Sequence, residues 1–216
     1  MPQSLIEKTR LHVEQHFADE SSGHDWWHVY RVSSIARKLA EMEGADRTVV
    51  ELAALLHDIA DWKFHDGDDA IGPQRAKEWL SAHQAEPEIV SHVCEIITDI
   101  SFKGAGVATP MRTLEGKVVQ DADRLDAIGA IGIARAFTYG GYKGRLMYHP
   151  NQPPVMHGSF ADYKKNAGHT INHFYEKLLL LKDRMNTESG GKLAKARHRF
   201  MQQYLERFYE EWNGEL

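Results

Sequence analysis

The chain has 216 residues, 42% hydrophobic and 26% charged, a balance that describes a globular protein and excludes a disordered one. Twenty-six basic against 31 acidic side chains give a net charge of -5, which excludes a duplex-nucleic-acid binder resting on a dominant positive field. The single cysteine, Cys94, excludes a disulfide framework and any multi-cysteine zinc site.

The first residues, Met1-Pro-Gln-Ser-Leu-Ile-Glu-Lys, lack the basic segment and apolar core of a secretory signal. No later run nears the roughly 18 apolar residues of a membrane span, so the expected location is the cytoplasm. In chain order, apolar spacing predicts a helix over 5–17. Asp25 then caps a second, through about 42, with Val29, Val32, Ile35, Ala36 and Leu39 on one stripe and Gly44 as its stop. Asp46 caps a third, whose Val49, Leu52, Ala53 and Leu56 lead into His57-Asp58. An acidic loop follows over 61–72. Pro73 and Pro87 suit first helical positions and open helices through about 83 and 101. After a glycine-containing connection, 114–139 reads as one long buried helix rich in alanine and isoleucine. The Gly/Pro/aromatic segment 140–158 is a candidate lid or substrate loop. Helices over 160–185 and 187–212 complete the chain. The expected fold is all-α, with about eight helices, no strand and no domain boundary.

Thirteen histidines exceed what a core needs, and imidazole is the commonest metal ligand. Adjacent helical residues point about 100° apart, so His57 and Asp58 cannot both be buried cheaply unless they are paired or bind an ion. His28 lies one turn inside the second helix, and Gln120-Asp-Ala-Asp-Arg-Leu-Asp puts three carboxylates into an otherwise apolar helix. A mixed imidazole and carboxylate set suits Mn²⁺, Fe²⁺, Co²⁺, Ni²⁺ or Zn²⁺ and leaves positions open for water and substrate. The bland alternative is a hydrogen-bonded His57/Asp58 pair with Asp123 on Arg124 or Arg135. His12/His16 and His169/His173 share the i,i+4 spacing of a helical zinc pair but lack its glutamate, and read as surface or packing residues.

The order His28, His57-Asp58, Asp123 resembles the HD-domain metal-dependent phosphohydrolase superfamily. Three stretches carry the resemblance: Gly23-His-Asp-Trp-Trp-His-Val-Tyr-Arg-Val, Ala54-Leu-Leu-His-Asp-Ile-Ala-Asp and Asp121-Ala-Asp-Arg-Leu-Asp-Ala-Ile-Gly. They are similar to the small bacterial branch that includes nucleotide pyrophosphohydrolases, from about residue 20 to the last helix. The resemblance implies a single HD-type helical bundle over 1–216, with a core at about 20–140 and the 140–158 loop and two last helices packed on it. It implies His28, His57, Asp58 and Asp123 as metal ligands, with Asp123 chosen over Asp121 and Asp126 on the Ala-Asp-Arg-Leu match. One divalent ion per chain follows, manganese preferred, with magnesium, nickel, cobalt, iron or zinc as alternatives.

The same resemblance makes Asp61, three residues after Asp58, the candidate general base; its other reading is a solvated or capping loop acid. His92 becomes a candidate phosphate or second-metal contact, against an ordinary structural histidine. His24, beside the site, is either a supporting residue or a loop residue. Lys103, and Lys143 with Arg145 in Tyr139-Gly-Gly-Tyr-Lys-Gly-Arg, are candidate substrate-phosphate contacts because nearby glycines free the backbone; each could equally be solvated. Lys177, Lys182 and Arg184, and the basic run 192–199, read as polar helix faces. The implied activity is hydrolysis of a nucleotide or similar phosphorylated metabolite, in its sharper form a nucleoside triphosphate cut to monophosphate and pyrophosphate. The alternatives are a nucleotide-sensing module without turnover and a cyclic-nucleotide or dinucleotide phosphodiesterase. The expected partner is the small-molecule substrate, with no duplex nucleic acid and no membrane; a homodimer is allowed.

Overall fold

The computed structural model describes residues 4–18, 25–60, 70–164 and 168–215. Among them the regular structure is helical throughout. The order is α1 (Leu5–His16), α2 (Trp26–Glu43), α3 (Arg47–Leu56), α4 (Ile71–Ala82), α5 (Pro87–Asp99), α6 (Leu114–Asp126), α7 (Gly129–Tyr142), α8 (Phe160–Lys164), α9 (Thr170–Glu176), a 3-10 helix (Leu178–Arg184) and α10 (Glu188–Asn213). None of the described helices is long and apolar enough to cross a membrane.

The ends of α2 and α3 follow from their caps. Asp25 accepts a hydrogen bond from the His28 N–H at 2.9 Å, which satisfies a donor that the first turn leaves unpaired. Gly44 takes the left-handed conformation (φ 75°) that ends α2, and Asp46 accepts from Thr48 N at 2.7 Å and Val49 N at 3.1 Å. The core lies where α2 packs on α3 and α6. Val29, Val32, Ala36 and Leu39 of α2 meet Val118, Val119, Ala122 and Leu125 of α6 in one buried cluster. Every residue of α3 from Val49 to Leu56 is buried, because α1, α2, α5 and α6 all pack against it. That apolar envelope is what pins the end of α3, and with it His57-Asp58, in the interior.

Three expectations need correction. The predicted 114–139 helix is two helices: Ile128 is extended (φ −126°, ψ 165°) and Gly129 has φ 78°. Only glycine adopts that conformation readily, and a Cβ there would meet the Arg197 side chain at 3.0 Å. The Ala/Ile periodicity hides the break because the turning residue, Ile128, is itself buried. The predicted 160–185 helix is likewise α8, α9 and the 3-10 helix. Lys177 (φ −142°, ψ −61°) separates the last two, and three residues per turn lets Leu178 and Leu181 face the core together. Pro73 sits third in α4 rather than first. The 143–159 segment is tied down: Leu146 O and Met147 O accept from Thr170 N and Ile171 N, and His157 O accepts from Gly106 N.

Candidate metal centre

His28 enters from the first turn of α2, His57 caps the C-terminus of α3 with Asp58 next to it, and Asp123 comes from α6. The side chains converge. His28 Nε2 lies 3.2 Å from His57 Nε2 and 3.2 Å from Asp58 Oδ2. His57 Nε2 is 3.5 Å from the same Asp58 oxygen. Asp123 Oδ1 stands 3.6 Å from His28 Nε2 and 3.9 Å from His57 Nε2. Ligand atoms about 2.0–2.2 Å from one ion lie roughly 3 Å apart when adjacent, so His28, His57 and Asp58 are spaced for a shared ion, with Asp123 of α6 beside the two imidazoles.

The hydrogen bonds behind the imidazoles decide what they present. His57 Nδ1 is 2.8 Å from the Ala54 carbonyl, which can only accept. His28 Nδ1 is 2.7 Å from Asp126 Oδ2. Both Nδ1 atoms are therefore the protonated ones, and both Nε2 atoms turn lone pairs toward each other and toward two carboxylates. That convergence of acceptors is satisfied by a cation, and the residues fit a divalent metal. Burial and Arg135 oppose a proton on His28, but its bonds to Asp126 and Asp58 outweigh them and raise its pKa.

Asp126 is the residue that sequence reasoning leaves without a role. Burial would raise its pKa, yet the bonds from His28 and Arg31 hold it well below the usual carboxylate range. Arg31 Nε reaches Oδ1 at 2.7 Å, and Arg135 Nη1 reaches Oδ2 at 3.1 Å. A carboxylate behind a ligating histidine sets its tautomer and ring orientation. Asp126→Asn is expected to weaken Mn²⁺ binding by roughly 10–100-fold; an unchanged calorimetric affinity would deprive Asp126 of that part. The available signal was its spacing, one turn after Asp123 on the same face of α6. Asp121, the third carboxylate, points away to the start of α10.

A cavity of about 70 Å³ opens on the centre, lined by His28, His57, Asp58, Asp123, Arg135 and Lys177 among others. Lys103 lines a smaller one, about 30 Å³, that also touches His57 and Asp58. The structure does not bring the other predicted contacts to these cavities. His92 Nε2 instead bonds Thr113 Oγ1 at 2.8 Å, at the far end of α6 from Asp123. Lys143 Nζ lies over the Tyr139 and Tyr142 rings at 5.7 and 5.3 Å, and Arg145 over Tyr139 at 5.8 Å. Asp61 and His24 lie outside the described residues. His12 stacks on Trp79 at 3.8 Å and His169 caps α9, so those two histidines are packing and capping residues.

An HD-domain family model matches residues 26–128, a span that holds all four candidate ligands and Asp126. YpgQ of Bacillus subtilis is 41% identical over 209 residues, 96% of this chain and 94% of that protein. Its crystal structure in complex with ADP superposes with a TM-score of 0.74 over 95% of this chain and 97% of that one. A Lactobacillus plantarum protein of known structure is 37% identical with a TM-score of 0.88, covering 99% of both chains. A Bacillus thuringiensis HD-superfamily hydrolase is 46% identical with a TM-score of 0.73, covering 96% of both. With the ordered His, His-Asp, Asp set converging as described, this chain belongs to the HD-domain phosphohydrolase superfamily and is a hydrolase of that kind.

Proposed function

We propose that the protein is a divalent-metal-dependent nucleotide pyrophosphohydrolase, cutting a nucleoside triphosphate to its monophosphate and pyrophosphate, with His28, His57, Asp58 and Asp123 as the ligands of one ion, manganese preferred. The observation that carries this reading is the pair of imidazole lone pairs meeting at 3.2 Å beside two carboxylates, at the floor of a cavity walled by Arg135 and Lys177. The ADP held by YpgQ supports a nucleotide as the ligand class.

A divalent ion there supplies Lewis acidity, acidifying water and drawing charge from phosphoryl oxygens. The chain's own residues supply the rest. Ala54 O and Asp126 hold both imidazoles in the ligating tautomer. Phe102, Ile100 and Leu181 make the apolar part of the wall, which limits water and strengthens each charge inside it. Arg135 and Lys177 put positive charge where phosphoryl charge accumulates. In the reaction, the oxygen of water bonds to phosphorus and the bridging oxygen departs with the electron pair of its bond on the pyrophosphate. The proton of the water passes to solvent.

The test is product analysis with Mn²⁺ across a panel of nucleoside triphosphates. Monophosphate and pyrophosphate are expected in equal amounts. Tight nucleotide binding with neither product would sink the proposal and leave a sensing module.

A further inference from the structure

Both cavities at the metal centre are lined by His57, Asp58 and Ser101, and each contains one lysine without an ion-pair partner among the described residues. In the larger cavity the arginines are already engaged. Arg135 donates to Asp126, and Arg124 donates to the Arg184 carbonyl and to Thr109 Oγ1. Lys177 differs. Its Nζ lies 5.3 Å over the Phe102 ring, the same ring that the Arg184 guanidinium approaches at 4.9 Å. Arg184 gives its own donors to the carbonyls of Gly104, Ala105 and Val107. Two cations thus share one aromatic ring, and among the described residues Lys177 has no carboxylate partner. In the smaller cavity Lys103 is also without an ion-pair partner among the described residues. A half-buried ammonium is costly to leave uncompensated, and an anionic ligand compensates it.

The walls differ as well. Phe102 and Tyr163 meet edge to face at 5.2 Å in the larger cavity, which offers apolar area to a nucleoside. The smaller one presents Thr98, Ser101 and Lys103 and has less than half the volume, which suits an inorganic phosphate group.

We infer that the metal centre lies between two phosphate subsites, Lys177 holding the nucleoside-bearing phosphate in the larger cavity and Lys103 the departing pyrophosphate in the smaller. This inference rests on the hydrolase reading above and sharpens its substrate class. A phosphoanhydride carries negative charge on both sides of the scissile bond and satisfies both lysines. A phosphomonoester carries it on one side and leaves one lysine uncompensated. The site therefore selects anhydrides over monoesters.

The experiment titrates Mn²⁺-loaded protein with AMP and, separately, with inorganic pyrophosphate. Lys177→Met keeps the alkyl stem over Phe102 and removes the charge. It should weaken AMP roughly tenfold or more, the worth of a charge-assisted hydrogen bond, and leave pyrophosphate within about twofold. Lys103→Met should show the reverse, and Lys177→Arg should restore AMP. If the methionine variant does not fold, Lys177→Gln is titrated in its place. Unchanged AMP affinity in the Lys177 variant, equal weakening of both ligands, or no binding of either ligand to the unaltered protein overturns the assignment. Titration needs no turnover. Lysine-dependent binding without product release would refute only the hydrolase reading, and turnover with lysine-independent binding only the two subsites.

Discussion

His57→Ala is expected to abolish stoichiometric Mn²⁺ binding and to lower kcat/KM by at least roughly a thousandfold, the scale of losing preorganised charge stabilisation together with metal-acidified water. His57 is buried and its Nε2 stands 3.2 Å from that of His28, so nothing else in the described structure can replace its lone pair. A thermal measurement separates this effect from unfolding. At a hundredfold excess of Mn²⁺ over its dissociation constant the unaltered protein gains about 2.7 kcal/mol. For a chain of this length that is a rise of roughly 5–10 °C in Tm. The variant should lose this increment while its metal-free Tm stays close to that of the metal-free parent, because removing one of two facing lone pairs relieves repulsion and offsets part of the cavity left behind. Asp58→Asn, which keeps the side-chain volume and removes a charge, should behave the same way. Turnover persisting in either variant, with an intact Mn²⁺-dependent rise in Tm, would place the chemistry elsewhere.

The candidate ligands are legible in the sequence because each sits at a position that local rules define. His28 follows the Asp25 cap by three residues, and His57-Asp58 ends a helix that is buried from Val49 to Leu56 and apolar there except for Glu51. The all-α class followed from the same periodicity. What was not legible depends on distant partners. Asp126 gains its role only when α6 docks on α2 and brings His28 and Arg31 against it, a separation of 98 and 95 residues. Lys177 reads as a helix face as long as 160–185 is taken as one helix. The break at that residue, and the Phe102 ring from a separate loop, bring it to the cavity instead. His92 misleads in the opposite way: its helix suits the family's pattern, but its side chain is used in binding the cap of α6. Spacing on one helix predicts which residues share a face, whereas the choice of partner is settled by packing between helices.

Asp121→Ala is expected to destabilise the fold by about 3–5 kcal/mol, since it strands several buried donors and removes a negative charge at a helix N-terminus. The carboxylate is fully buried. It accepts from Asn186 N, Thr187 N and Thr187 Oγ1, each at 2.8 Å, and from Asn186 Nδ2 at 2.9 Å. Thr187 Oγ1 in turn accepts from Gly190 N at 3.0 Å, so one carboxylate organises the whole first turn of α10. The fit leaves no room: a Cβ on Gly190 would come within 2.5 Å of Asp121 Oδ2. Gly190→Ala should therefore reproduce much of the loss by a clash in place of a deletion. Asp121 also stands two residues before Asp123 on α6, about 200° around the helix, so the clamp on α10 sets the roll of α6 that turns Asp123 toward His28 and His57. Calorimetric melting should show Tm lowered by roughly 6–20 °C in Asp121→Ala, with Mn²⁺ affinity reduced in whatever fraction stays folded at 25 °C. A Tm within about 2 °C of the parent, below the shift that 1 kcal/mol gives in a chain of this size, would mean that water replaces the carboxylate and that α10 does not depend on it.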